Sequence, residues 1–165
     1  LVTKNYVFSI TRKKQTSKFN YTLGGATINA VNKYKYLRLT LTRDLRWERH
    51  VNNVATTALK IVFLNRHPRL APHITVLLAY QTFVRSTLEY ANTVWFLSNK
   101  ELISKLEAVQ RKALRCIYNK HRLNDSPAPL LKQTGILTLK NRAKLALLKM
   151  MHQLIHKGIK IDTSK

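Results

Sequence analysis

A chain of 165 residues with 45% apolar side chains is long enough for one sizeable core and too apolar for an intrinsically disordered segment. Its 30 Lys and Arg against 7 Asp and Glu leave a net charge of +23. Such an excess repels itself in a compact state until a polyanion neutralises it, so nucleic acid is the first partner to consider. The single cysteine, Cys116, excludes an internal disulfide and fits a reducing, intracellular compartment. The longest uncharged run, residues 70–84, contains Pro72, His73 and Gln81 and is too short and too polar to span a bilayer. No signal peptide is expected, because Lys4, Arg12, Lys13 and Lys14 interrupt the start, and a first residue Leu1 points to a piece of a longer protein.

The charge is unevenly placed: +9 over residues 1–46, +3 over 47–98 and +11 over 99–165. The middle is therefore the expected core, with a basic face at each end. Tyr6–Ile10 is aromatic and β-branched and reads as a strand. Phe19, Tyr21 and Leu23 alternate with polar residues as a second strand, and Gly24-Gly25 signals a tight turn. Tyr34–Leu41 reads as a third strand, with Leu37, Leu39 and Leu41 on its apolar face. Together these predict a small antiparallel meander. Asp44 is placed to cap a helix from about Leu45 to Leu64, with Trp47, Val51, Val54, Ala58 and Ile61 inward.

Helical spacing continues from there. Pro72 fits the first turn of a second helix with Leu77, Val84, Leu88, Ala91 and Trp95 on one face. Ser98–Glu101 has the form of a capping box opening a third helix, whose stripe is Leu102, Leu106, Val109, Ala113 and Ile117. Glu101→Lys105 and Glu107→Arg111 have the spacing of stabilising pairs on its outer face. After a loop with Pro127 and Pro129, a short helix is expected near Leu130–Gln133, ending at Gly135. A last helix, from about Leu139 to His156, is expected to bury Ala143, Leu147, Met150 and Leu154. The fold class is α+β, divided into a sheet-bearing part at 1–43 and a mainly helical part at 44–165.

Four stretches carry a family resemblance. They are Thr3–Ser9; Tyr36-Leu37-Arg38-Leu39 with Leu45–Val51; Leu88-Glu89-Tyr90-Ala91-Asn92-Thr93-Val94-Trp95; and Leu106-Glu107-Ala108-Val109-Gln110-Arg111-Lys112-Ala113-Leu114-Arg115. In this order they resemble the C-terminal part of a non-LTR retrotransposon reverse transcriptase of the jockey-like or CR1-like kind, with Leu131–Gly135, Leu139 and Arg142 following the family's ending. The third and fourth stretches are specific in combination, and the resemblance covers about Lys4 to Gly158.

The resemblance implies the end of a palm with a primer-grip hairpin at 1–43 and a thumb-like domain at 44–165. It implies an RNA–DNA template–primer duplex as partner, a parent enzyme supplying the missing palm and fingers, and action in the nucleus on chromosomal DNA. Magnesium is implied for the full-length parent, where a pair of aspartates holds two metals. Here the only aspartates, Asp44, Asp125 and Asp162, are isolated from one another. No catalytic residue and no cofactor are therefore expected in this chain, which alone should not polymerise.

Lys4 corresponds to the family's palm lysine near the nucleotide phosphates; its bland reading is a solvated lysine. Tyr36 and Leu37 are either primer contacts or ordinary strand residues. Arg38 stands where the family has glycine, which implies a tolerant hairpin or a decayed element. Lys105, Lys112 and Arg115 on the third helix, with Lys140, Lys144 and Lys149 on the last, are candidates to track duplex phosphates, since too few acids exist to balance them. Trp47, Tyr90 and Trp95 are read as core rather than base-stacking residues. His152 and His156 stand four apart, but no glutamate between them makes a zinc-hydrolase motif. Two further readings stay open: a stand-alone basic helical module that binds RNA or DNA, and a decayed transposon relic.

Overall fold

The computed structural model describes residues 5–13, 19–64, 72–96, 99–118, 131 and 135–156. The fold class is α+β, a small set of strands followed by helices. The chain divides into two compact units, Leu1–Asn53 and Val54–Lys165, ten residues beyond the boundary expected at 43/44.

The first unit holds five short strands: β1 (Tyr6–Val7), β2 (Tyr21–Leu23), β3 (Ala26–Ala30), β4 (Lys33–Tyr36) and β5 (Leu39–Thr42). They form a three-stranded sheet, β1-β3-β2, and a two-stranded one, β4-β5. β2 and β3 are an antiparallel hairpin closed by Gly24 and Gly25, whose φ values of 57° and 79° are the positive pair that a type I′ turn requires. β1 departs from the expected meander, because it lies parallel to β3 with Tyr6 opposite Asn29. Its isolation from β2 by a long connection makes either direction possible, and local alternation carries no signal for that choice.

The third expected strand is in fact a second hairpin. Tyr36 faces Leu39 and Tyr34 faces Leu41, with Leu37 and Arg38 as the two turn residues at φ 44° and 66°. One face of the hairpin carries Tyr34, Tyr36, Leu39 and Leu41, and the other Lys33, Lys35, Thr40 and Thr42. Leu37 thus belongs to the turn and not to the apolar face. Bonds from Arg43 N–H to the Asn32 carbonyl (3.2 Å) and from Thr11 N–H to the Arg43 carbonyl (2.9 Å) tie the hairpin to the rest of its unit.

Asp44 is not a helix cap. Its Oδ1 accepts from the Thr42 hydroxyl (2.8 Å) and from Arg46 N–H (3.2 Å), closing a turn in which Leu45 takes a left-handed φ of 52°. A residue in that conformation cannot begin a right-handed helix, so α1 starts three residues later than expected, at Glu48, and runs to Leu64. Thr40 N–H donates to His50 Nδ1 at 3.3 Å, covering the outer edge of β5.

In the second unit, α2 (His73–Ala79), a π-helical turn (Tyr80–Arg85) and α3 (Ser86–Glu89) form one continuous rod, with Pro72 at the N-cap and not inside the first turn. Ala91, at φ 51°, then breaks the rod before α4 (Asn92–Trp95). Tyr80, Val84 and Leu88 are all buried along the rod, and Asn92 and Trp95 beyond it. A four-residue spacing drifts about 40° per step on an α-helix. The wider π turn absorbs part of that drift and keeps the rod's stripe on one face.

α5 (Lys100–Ile117) is capped by Asn99, whose side chain accepts from Glu101 N–H at 2.9 Å and Leu102 N–H at 3.4 Å. Leu106, Val109, Ala113 and Ile117 are buried as the spacing predicts, joined by Gln110 and Leu114, while Leu102 is half-buried. Val62, Val76, Val84, Ala113 and Ile117 line a small apolar pocket where α1, the rod and α5 meet. At the far end of α5, His73 stacks on Tyr118 and its Nδ1 meets the Ile117 carbonyl at 2.8 Å.

α6 (Leu139–His156) has the bounds expected from sequence. Only Leu139 and Ala143 are buried on it; Met150 and Leu154 are half-buried, and Leu147, expected inward, is 45% exposed. Of the short helix expected near Leu130–Gln133, Leu131 alone lies among the described residues and is helical; the Ser98 end of the capping box lies outside them.

The left-handed turn at Leu37-Arg38 costs on the order of 1–2 kcal/mol per non-glycine residue. Replacing Leu37-Arg38 by Asn-Gly is therefore expected to stabilise the first unit by about 1–3 kcal/mol in chemical denaturation. Unchanged stability would mean that the hairpin does not hold this turn in solution.

Candidate nucleic-acid interface

The residues that carry the specific parts of the sequence pattern meet inside the second unit. Arg142 on α6 makes a two-pronged ion pair with Glu89 at the end of α3, through Nε to Oε1 and through Nη2 to Oε2 at 2.9 Å. Glu107 on α5 accepts the backbone N–H of Lys140 at 3.1 Å, capping the start of α6. Gln110, fully buried, donates from Nε2 to the Leu137 carbonyl at 3.2 Å, just ahead of α6. The indole N–H of Trp95 donates to the Tyr90 carbonyl at 2.8 Å and closes the loop after α3. Sequence reasoning took the patterns as a signature and did not see that their polar residues contact one another. The signal that could have found it was a Glu and a Gln inside otherwise apolar helix stripes.

These contacts set where the candidate cations stand. On α5, Lys105 and Lys112 are exposed and lie only about 20° apart around the axis, with the half-buried Arg115 about 60° beyond Lys112. On α6, Lys140 and Lys144 are exposed and about 40° apart, but Lys149 lies about 140° from Lys144 on the opposite side of the helix. The fold thus gathers Lys105 with Lys112, and Lys140 with Lys144. It does not bring Lys149 to the same side, because nine residues are two and a half turns.

In the first unit, Tyr36 and Leu37 are 56% and 67% exposed, and Arg38 is exposed at the hairpin tip. Lys4 lies outside the described residues. Of the three aromatics read as core, Trp95 is 1% exposed, Trp47 is half-buried against the edge of His50, and Tyr90 is 45% exposed, because the left-handed Ala91 turns the chain there. The rings of His152 and His156 lie 4.5 Å apart between centroids, tilted by 43°, and among the described residues no three His, Cys, Asp or Glu gather as a metal would need.

The electrostatics follow from the same contacts. The Glu89 carboxylate raises the Arg142 pKa, so the guanidinium stays charged. The Tyr80 phenol, buried and without a hydrogen-bond partner, is pushed up to about 12, by burial first and by the Glu89 charge second. The Thr42 hydroxyl and then Arg46 N–H hold the Asp44 carboxyl below its usual value. Burial lowers His50, whose Nδ1 already accepts a hydrogen bond. Among the described residues no helix is long and apolar enough to cross a membrane.

Removing either side of the Glu89–Arg142 pair leaves a partly buried charge without its partner. Glu89→Ala and Arg142→Ala are each expected to cost about 2–3 kcal/mol, with a coupling of about 1–3 kcal/mol in a double-mutant cycle. Additive losses would remove the pair from the account. The Tyr80 shift has a sign that can be read directly. The folded state holds its proton more tightly than the unfolded state, so stability is intact below pH 10 and falls by up to about 2–3 kcal/mol as pH rises to 12. Tyr80→Phe is expected to abolish that alkaline loss and to leave stability near neutral pH equal or slightly higher.

No protein-family model, no curated protein and no solved structure matches this chain.

Proposed function

We propose that this chain is part of an RNA-directed DNA polymerase of a non-LTR retrotransposon, contributing template–primer binding and lacking the catalytic aspartates. One observation supports the reading above others. Residues by which the chain resembles that family, Glu89, Glu107, Gln110 and Arg142, are those that join α3, α5 and the start of α6 into one scaffold. A resemblance of composition alone would not select mutually contacting positions.

On that scaffold Lys105 and Lys112, with Lys140 and Lys144, offer cations to the phosphates of an RNA–DNA hybrid. Each contact releases condensed counterions and adds affinity without reading sequence. The parent polypeptide supplies the palm and fingers, with paired carboxylates for magnesium, and acts in the nucleus. The reading frame of that parent is expected to place an aromatic-x-Asp-Asp turn before Leu1; a parent without paired carboxylates overturns the polymerase reading.

Affinity for a hybrid duplex should fall steeply with salt, with a log–log slope of about −3 to −4 if four lysines contact phosphate. Lys112→Gln and Lys140→Gln should each make that slope shallower by about 0.9, while Lys149→Gln, on the far side of α6, leaves it unchanged. Salt-independent binding would exclude phosphate tracking.

A further inference from the structure

We infer that the outward face of α6 docks an acidic amphipathic helix of a partner protein. The inference goes beyond the polymerase reading and does not use it. Leu147, Leu148, Met151 and Ile155 are 45%, 65%, 47% and 70% exposed. Leu147, Met151 and Ile155 recur at every fourth residue, and Leu148, Met151 and Ile155 fall at i, i+3 and i+7. That is the spacing by which a helix packs against a neighbour. Ile155 stands about 120° around the axis from the buried Ala143, so this is a second apolar face and not the rim of the first. Single exposed apolar side chains are ordinary; four on one face of one helix mark a contact surface.

Charge names the occupant. α6 contains no Asp or Glu, and its Arg142 is taken up by Glu89. Lys140 and Lys144 are exposed and stand on the same side as the apolar stripe. Met151 and Ile155 lie within about 20° of Lys144 around the axis, and Leu148 about 40° from it. Two cations therefore precede the apolar residues in line, along a face of about 22 Å from Lys140 to Ile155.

That layout separates the three occupants an apolar face can have. A helix that lies in a membrane surface keeps its cations on the polar face and its apolar face free of them. Here two lysines stand in the apolar line, and seating that line in a bilayer would press them towards the acyl region. A second copy of α6 offers the lysines no acid, and two chains of +23 repel each other. A partner helix with carboxylates beside an apolar ridge answers both halves of the face, the ridge giving affinity and the charges giving register.

The test titrates the full chain with three labelled 22-residue helical peptides. One carries leucine at the a and d positions of each heptad and glutamate on its flanks; the second replaces the leucines by alanine, and the third the glutamates by lysine. The first is expected to bind, and the other two about tenfold more weakly or worse. Leu148→Ser with Ile155→Ser is expected to weaken the first peptide about tenfold without loss of helicity, since both side chains stand mostly in water. Lys144→Gln should weaken it about threefold and flatten its salt dependence, whereas Lys149→Gln, about 140° around the axis, leaves it unchanged. Equal affinity of the serine variant and the wild type for the first peptide overturns the inference, as does equal binding of the alanine peptide. Binding to phosphatidylserine–phosphatidylcholine vesicles that the serine variant loses, with no peptide bound, overturns it in favour of a membrane. Dimerisation that the same variant abolishes overturns it in favour of a second copy. Should the serine variant fail to fold, equal weakening by Lys144→Gln and Lys149→Gln overturns it instead. Failure of the duplex reading registers separately, as hybrid affinity indifferent to Lys112→Gln.

Discussion

The ion pair between Glu89 and Arg142 is the constraint around which the helical unit is arranged. Its side chains are only 21% and 29% exposed, so each charge has lost much of its water and depends on the other. The bidentate geometry fixes orientation as well as distance, which places the first turn of α6 against the end of α3. Once that turn is set, Lys140 N–H reaches Glu107 and the Leu137 carbonyl reaches Gln110 on α5. Three weak contacts then act together on one helix that buries only two of its own side chains. Hydrophobic burial positions the rod and α5; polar pairing positions α6.

A chain with so few acids uses them for architecture. Five of the seven acids lie among the described residues. Glu48 and Glu101 sit in the first turns of α1 and α5, where the helix dipole favours a negative charge. Glu107 does the same for α6, Glu89 holds Arg142, and Asp44 closes the turn ahead of α1. The acids therefore serve helix starts and one partly buried guanidinium, and the cations of the outer faces far outnumber them. The excess of positive charge is thus a consequence of where the few acids are needed.

Much of the helical unit was legible in the sequence, because a 3.6-residue stripe together with a cap defines a helix locally. α6 falls at its expected bounds, and α5 buries four of its five expected positions. The hairpin was not legible in the alternation of side chains, and only the resemblance implied one. A two-residue turn preserves the alternation of side chains, and Leu37-Arg38 carries none of the Asn or Gly that normally marks positive φ, so two strands read as one. The break at Ala91 was hidden for the same reason. Cross-chain relations were also hidden: the parallel pairing of β1, and the opposite placement of Lys149, which a charge count lumps with Lys140. What sequence conveys well is periodicity; what it conveys poorly is strain tolerated because something else requires it.

The two hairpins of the first unit make that distinction concrete. Both turn through two residues at positive φ, one with Gly24-Gly25 and the other with Leu37-Arg38. Glycine makes the turn without strain and presents no side chain, whereas the second hairpin accepts strain and presents a leucine and a guanidinium at its tip. The strand leading into the glycine turn exposes Tyr21 and Leu23 without an adjacent described cation, while the strand leading into the strained turn alternates lysine with tyrosine. Backbone strain, exposed rings and unbalanced charge therefore coincide on one hairpin of ten residues.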